Sequence, residues 1–217
     1  MGKRGPKPKK IVDETWSSNL AYAVGLLATD GCLSKNSLID LTSKDIQQLK
    51  NFCKALNLNL SIGEKFNGHG LLHHRVQLKN VIFYNFLLTI GLTPAKSKTL
   101  GELKIPEKYF FDFLRGSFDG DGCTYSYWDP RWKSSFMLYT VFVSASKKHV
   151  EWIRASVNRL IGLNGHITKS GNQACYQLKY AKYESLKLLK KIYTGPELIF
   201  LKRKKLKIDK ALAIIDR

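Results

Sequence analysis

The sequence predicts an α+β protein built from two tandem copies of one helix-and-strand unit, and three observations carry that prediction. Two stretches spell nearly the same word: Ala23-Val24-Gly25-Leu26-Leu27-Ala28-Thr29-Asp30-Gly31 and Leu114-Arg115-Gly116-Ser117-Phe118-Asp119-Gly120-Asp121-Gly122. Gly25, Asp30 and Gly31 return in order as Gly116, Asp121 and Gly122, with Cys32 and Cys123 extending the match, so one structural unit is used twice. Behind each word the same succession of strand and helix patterns follows. At 217 residues and 44% hydrophobic content, the chain has length and apolar material for two fused subdomains of about a hundred residues each.

In chain order, residues 1–12 form a basic arm with two prolines and no acid, expected to be extended and mobile. Ser17 or Ser18 caps a helix over Leu20 to Ala28, whose apolar residues keep helical spacing. A strand follows at Ser37 to Thr42, a helix at Asp45 to Leu56, a hairpin at Leu60 to Phe66 with Leu71 to Lys79, and a helix at Val81 to Ile90. Thr93 to Ile105 reads as a linker. In the second copy Pro106 and Glu107 supply helix-start chemistry for Tyr109 to Phe118. Phe136 to Ser144 is the strand and Lys147 to Ile161 the helix; His166 to Lys169 with Ala174 to Tyr180 is the hairpin, and Tyr183 to Tyr193 the closing helix. Gln77-Leu78-Lys79 and Gln177-Leu178-Lys179 look like the repeat surfacing again, and Tyr125 to Ser135 reads as an enlarged turn. The subdomains are placed at 13–100 and 101–217.

Lys and Arg number 36 against 17 acids, a net charge of +19, which is the footprint of a nucleic-acid binder. Three of those few acids, Asp30, Asp119 and Asp121, sit in the repeated word, where a merely cationic surface has no use for them. No apolar run reaches the roughly 18 to 20 residues of a membrane helix, and the N-terminus lacks a signal-peptide core, so a soluble intracellular protein is expected. The four cysteines have no zinc-like spacing; Cys32 and Cys123 are expected as small buried fillers, without a disulfide. A mid-helix glycine costs about 1 kcal/mol relative to alanine. Close approach of two helices at Gly25 and Gly116 would offset two such costs and bring Asp30 beside Asp121. Leu at either glycine is expected to force the helices apart, and Ala to be milder.

These paired words resemble the motifs of the LAGLIDADG homing endonucleases in their single-chain, two-motif form, over everything after the first dozen residues. The second copy matches the family word at its Leu, both glycines and both acids; the first has Ala28 where the family often carries its first acid, and keeps Asp30. The resemblance implies tandem pseudo-twofold αββαββα repeats, with a two-helix motif interface and saddle-shaped antiparallel sheets. It implies a monomeric, intron-encoded enzyme that cuts both strands of a long, asymmetric double-stranded DNA target. Asp30 and Asp121 would each serve one scissile phosphate through Mg²⁺, with the backbone carbonyls of Thr29 and Gly120 joining, and with Mn²⁺ or Ca²⁺ able to substitute in binding. Two carboxylates at one interface repel unless a cation lies between them, which points the same way.

A basic residue follows the last helix of each copy in the family. Lys96 and Lys98 in PAKSKTL, and Lys202 and Lys204 in FLKRKKL, are the candidates here, with Lys98 and Lys204 favoured as catalytic. A twisted β-ribbon fits the major groove, where Gln suits adenine and Arg or Lys suits guanine, so Arg75, Gln77, Lys79, Gln177 and Lys179 are candidate DNA-reading residues. Arg131 in the enlarged turn and Arg4 in the arm join them as DNA contacts. Two other readings share the scaffold: an intron RNA maturase and a noncatalytic DNA-binding regulator. Retention of both aspartates favours cleavage over the regulator.

Overall fold

The computed structural model describes residues 7–169 and 175–215. Helix α1 (Ser18–Thr29) leads into the hairpin β1 (Gly31–Ser34) and β2 (Leu38–Ser43), then α2 (Ile46–Ala55), a second hairpin β3 (Gly63–Phe66) and β4 (Leu72–Lys79), and α3 (Val81–Thr89). The order is retraced by α4 (Phe110–Asp121), β5 (Cys123–Trp128), β6 (Phe136–Ser144), α5 (Lys147–Ile161), β7 (His166–Lys169), β8 (Tyr176–Tyr180) and α6 (Lys182–Ile192), after which α7 (Lys202–Ile215) is added. Each repeat makes its own four-stranded antiparallel sheet, in the orders β1-β2-β4-β3 and β5-β6-β8-β7.

Local chemistry explains the helix starts. Ser17 accepts the Leu20 amide, Asp45 the Gln47 amide and Asn80 the Phe83 amide, each satisfying a donor with no partner inside its helix. The α5 helix stops at Gly162, whose φ of 70° is the left-handed conformation that glycine adopts at least cost. Helices α1 and α4 pack against each other at the centre. Every residue of α1 from Leu20 to Ala28 is buried, so this helix is apolar all round rather than amphipathic.

Five expectations are corrected. Val12 is 2% exposed and belongs to the core, and Asn80 donates to the Lys9 carbonyl, so the arm is already docked by residue 9. The first four residues of the enlarged turn are strand: Tyr125 pairs with Tyr139 and Trp128 with Phe136, leaving a shorter loop closed by Asp129 N–H on the Ser135 carbonyl. Cys32 and Cys123 are exposed, because they fall on the faces of β1 and β5 turned away from the helices. Asp40 pairs with Cys32 and Gln77, whereas Val141 pairs with Cys123 and Lys179. Lys179 is therefore the counterpart of Gln77, and the two Gln-Leu-Lys words are out of register. A shift by an even number of residues leaves each side chain on its face, which is why the words looked equivalent. Finally, α7 was not expected. Its Lys202 N–H donates to Gln47 and Arg203 pairs with Asp45 at 2.8 Å, so the chain's end crosses to the first repeat.

Candidate active site

The glycines of the repeated word set how closely α1 and α4 approach. A Cβ on Gly25 would fall on the Phe113 carbonyl oxygen and 2.7 Å from the Ser117 nitrogen; one on Gly116 would fall on the Tyr22 carbonyl oxygen and 3.1 Å from the Gly25 Cα. Backbone meets backbone, so even a methyl has nowhere to go. Ala, expected to be milder than Leu here, therefore still meets backbone rather than open space. Ser18 closes one end of the crossing by donating to Asp112 at 2.6 Å.

At the other end lie the acids. Asp30 follows the last residue of α1, and Asp121 ends α4. A Cβ on Gly120 would sit 3.0 Å from the Asp30 Oδ2, so the Asp30 carboxylate is held against the end of the opposite helix. Burial first, and the charge of Asp121 second, push the Asp30 carboxyl up to about 6, while a bond from the Gln48 amide pulls the other way. Burial raises Asp121 as well.

Two lysines flank this pair, Lys96 buried and Lys204 half-buried. Lys204 donates to the carbonyls of Phe118, Gly120 and Gly122 at 2.6, 2.7 and 2.6 Å, a cation at the negative end of the α4 dipole. Burial lowers it to about 8, against the attraction of Asp119, Asp30 and Asp121. Lys96, 6% exposed, donates to the Gly31 carbonyl; burial lowers its pKa, and Asp30 and Asp121 are among the groups opposing that shift. Lys98, expected in this role, is exposed instead. The left-handed Ala95, φ 52°, opens a short turn in which Lys96 faces inward and Lys98 faces solvent. Sequence spacing alone does not distinguish the two.

Asp119 has a different task from its neighbour Asp121. It is fully buried, accepts from the Tyr22 hydroxyl and the Leu201 amide at 2.7 Å each, and burial pushes it up to about 6. Arg115, also buried, donates to the carbonyls of Ile199 and Ile192 and pairs with Asp112 at 2.9 Å. Together they fasten the segment before α7 to the helix pair and so deliver Lys204.

The two halves of the site differ in one more residue. Gln48 on α2 and His149 on α5 occupy matching positions after the strand-ending Ser43 and Ser144. Gln48 bonds Asp30, whereas His149 bonds the Gly101 carbonyl at 2.8 Å, lines a small cavity with Asp121, and is driven down to about 4 by burial. Neither residue is marked by the repeated word.

The donor set fits a hard divalent cation. Asp30 and Asp121 are oxygen ligands whose mutual repulsion and desolvation a cation would relieve. Among the described residues no group of three or more His, Cys, Asp or Glu is gathered for a metal. The cation would therefore rest on these two carboxylates, completed by water and substrate oxygens, the pattern typical of Mg²⁺. Of the two carbonyls expected to help, that of Gly120 already accepts Lys204, while Thr29 closes α1 with its hydroxyl on the Leu26 carbonyl at 3.0 Å.

The Asp30 shift has a consequence for stability. A carboxyl whose pKa rises from 3.8 to about 6 on folding binds more protons in the native state between those values, so stability falls as pH rises through that window and stays lower above it. His149, lowered by burial, acts in the opposite sense over much of the same range. The readout is therefore the difference between parent and Asp30→Asn in metal-free buffer. The two are expected to melt alike near pH 4, with the variant a few degrees higher at pH 7.

The candidate DNA-reading residues fall on the sheet faces that no helix covers. On the first sheet, Arg75, Gln77 and Lys79 alternate with the buried Val76 and Leu78. Gln77 donates to Asp40 at 3.0 Å, and Arg75 lies 3.9 Å from the same carboxylate, so Asp40 orders both. On the second, Gln177 and Lys179 flank the buried Leu178. Arg131 is exposed at the β5–β6 turn and forms a two-pronged pair with Asp129, holding that carboxyl down to about 2. Arg4 lies outside the described residues. No described helix is long and apolar enough to cross a membrane.

No protein-family profile matches the chain, and no curated protein matches it by sequence. Solved structures do match. The LAGLIDADG meganuclease I-AabMI bound to uncleaved DNA aligns at 14% identity over 90% of this chain and 89% of its own, with a TM-score of 0.62. The homing endonuclease I-DmoI in complex with DNA and Mn aligns at 16% identity over 82% and 97%, TM-score 0.52. The N-terminal LAGLIDADG domain of DUF199/WhiA aligns at 16% over 91% and 89%, TM-score 0.55. With two matching sheets, paired motif helices and these neighbours, the chain has the two-repeat, single-chain LAGLIDADG fold.

Proposed function

We propose that the chain is a site-specific, metal-dependent endonuclease that holds a long asymmetric DNA duplex on the uncovered faces of its two sheets and hydrolyses one phosphodiester bond in each strand. The observation that carries this reading is the pair of carboxylates, the half-buried Asp30 and the exposed Asp121, whose pKa values are both raised and which are set between the buried Lys96 and the half-buried Lys204. A scaffold that only bound DNA would have no need to gather two acids and two lysines where partial desolvation shifts all four, since shifts of that kind cluster at functional sites. A divalent cation bound there would supply an activated water and neutralise charge on the phosphate oxygens. Lys204, with its pKa lowered to about 8, still carries its proton at neutral pH and stands where negative charge would develop.

The net charge of +19 favours a polyanion. Duplex DNA is preferred to folded RNA because the deep, narrow major groove of A-form RNA admits neither sheet. Two nonidentical repeats in one chain suit a monomer acting on an asymmetric site, where a symmetric dimer suits a palindrome. I-AabMI and I-DmoI, both described with DNA, support the reading, as does the Mn in the latter.

The test is a plasmid pool carrying randomised inserts, incubated with the chain and Mg²⁺, with the ends of linear products sequenced. One long, non-palindromic consensus is expected; DNA binding without linear product in Mg²⁺ or Mn²⁺ would leave the regulator reading instead. On a recovered site, Lys204→Met and Lys96→Met are each expected to slow single-turnover cleavage by roughly a hundredfold, the scale of losing one donor to developing charge. Lys98→Met should cut like the parent. Equal losses at all three lysines would show a general charge effect.

A further inference from the structure

An acid sits within the uncovered face of the first sheet. Asp40 stands on the inner strand β2, opposite Cys32 on β1 and Gln77 on β4. A carboxylate there repels the polyanion that the net charge of the chain attracts, so its presence asks for a task. Its contacts supply one. Asp40 is 9% exposed, and both of its oxygens are engaged: Oδ1 accepts from the Thr42 hydroxyl at 2.8 Å, and Oδ2 from the Gln77 side-chain amide at 3.0 Å. Arg75 Nη1 lies 3.9 Å from Oδ2, near enough to be drawn by the charge and too far for a hydrogen bond. Gln77 is exposed between the buried Val76 and Leu78.

We propose, resting on the DNA-binding reading above, that Asp40 is a positioning residue that fixes the amide of Gln77 for adenine. A glutamine amide that is not held turns over and presents its carbonyl and its NH₂ in either order. A carboxylate only accepts, so it admits one order, with the NH₂ toward Asp40 and the carbonyl away. One N–H is then spent on Asp40. The second N–H and the carbonyl remain, one donor and one acceptor, and they complement the N7 and N6–H₂ that adenine shows in the major groove. Guanine shows two acceptors there, N7 and O6, which suit an NH₂ turned outward; the held amide sets its carbonyl against O6 instead. Asp40 does not read a base itself. Accepting from the cytosine N4–H₂ would need a carboxylate oxygen at the surface, and both oxygens here are engaged on a side chain 12% exposed. An amide ordered in advance also loses less freedom on binding. In the second sheet the matching position, beside Lys179, is Val141, which offers no acceptor.

The experiment uses the full chain with Ca²⁺, to permit binding without cleavage, and selects from a pool of randomised duplexes with the parent, Gln77→Ala, Asp40→Val and Asp40→Asn. Val is the residue that the second sheet has at this position, and it suits a strand. The base pair whose preference disappears in Gln77→Ala is the one that Gln77 reads, and in the parent it should carry adenine. Asp40→Val should weaken binding of the adenine site by about two- to tenfold, the scale of ordering one long side chain on binding, and should admit guanine at that pair although Gln77 is intact. Asp40→Asn, which can accept from Gln77 in one of its own two amide orientations, should fall between. Affinity for random duplex should rise in both, because an acid leaves the DNA-facing surface. Replacing the adenine by 7-deazaadenine, which removes only the N7 acceptor, should weaken the parent about fivefold and Asp40→Val less. Parental adenine preference in both Asp40 variants, another base at the pair that Gln77 reads, or no pair changed by Gln77→Ala would overturn the inference while leaving site-specific binding intact. A pair lost in Asp40→Val but kept in Gln77→Ala would overturn it too, by making Asp40 itself the reader. So would loss of affinity for every sequence in both Asp40 variants, which would make Asp40 a residue of the fold. A pool from which no sequence emerges would remove the site-specific reading itself, and this inference with it.

Discussion

Asn at Asp30 or at Asp121 is expected to reduce double-strand cleavage by about a thousandfold or more while leaving DNA affinity close to the parent's. The substitution removes the charge that would hold a divalent cation and keeps the shape of the side chain. At Asp30 the geometry favours a clean result, because the Gln48 amide can still donate to the remaining carbonyl oxygen of Asn. Neither change removes a hydrogen bond of Lys204, whose donors go to backbone carbonyls. Plasmid cleavage in Mg²⁺ beside gel-shift titration in Ca²⁺ measures both quantities, and nicked product reports whether one strand is still cut. Since His149 stands where Gln48 stands in the other half, the two variants are expected to leave different residual nicking. Full double-strand cleavage by either variant would remove the carboxylate pair from the chemistry.

How much of this was legible in the sequence depends on whether a residue acts through type and spacing or through burial. The motif glycines and acids announce themselves because a repeated word is visible without any structure, and a glycine inside an apolar helix asks for a close contact. The strand β6 and helix α5 are likewise plain, their β-branched run and helical spacing setting the ends that the structure has. Lys96 and Lys98 are indistinguishable as letters; one left-handed residue, Ala95, turns one in and the other out. Asp119 and Asp121 are equally acidic in the word, yet they lie on different sides of α4, one meeting Tyr22 and Leu201, the other facing Asp30. The missed helix α7 carried a signal in Leu201, Ile208, Ala211 and Leu212, apolar positions at near-helical spacing that the surrounding lysines obscured. Gln48 and His149 had no such signal, because their role arises only when α2 and α5 fold back onto the motif helices.

Ala at Gly25 or Gly116 is expected to destabilise the fold despite its higher helix propensity. Propensity favours Ala over Gly by about 1 kcal/mol. Against it stands a Cβ placed on a carbonyl oxygen of the facing backbone, which cannot swing aside as a flexible side chain would. Overpacking of that kind costs roughly 1 to 3 kcal/mol, or a fall in melting temperature of about 2 to 12 °C for a chain of this size. Cleavage should suffer more than stability does. The carboxylates of Asp30 and Asp121 are carried on the ends of these two helices, and a misplacement of about 1 Å can cost roughly a hundredfold in rate. Gly101→Ala is the control, since a Cβ there meets nothing within 4 Å. Thermal melts and single-turnover rates at saturating DNA separate the two effects, because a variant that is merely less stable still cuts at the parent's rate well below its melting temperature. Ala variants that melt and cut like the parent would mean that the helices can part without cost, and that the closeness of the two acids does not depend on Gly25 and Gly116.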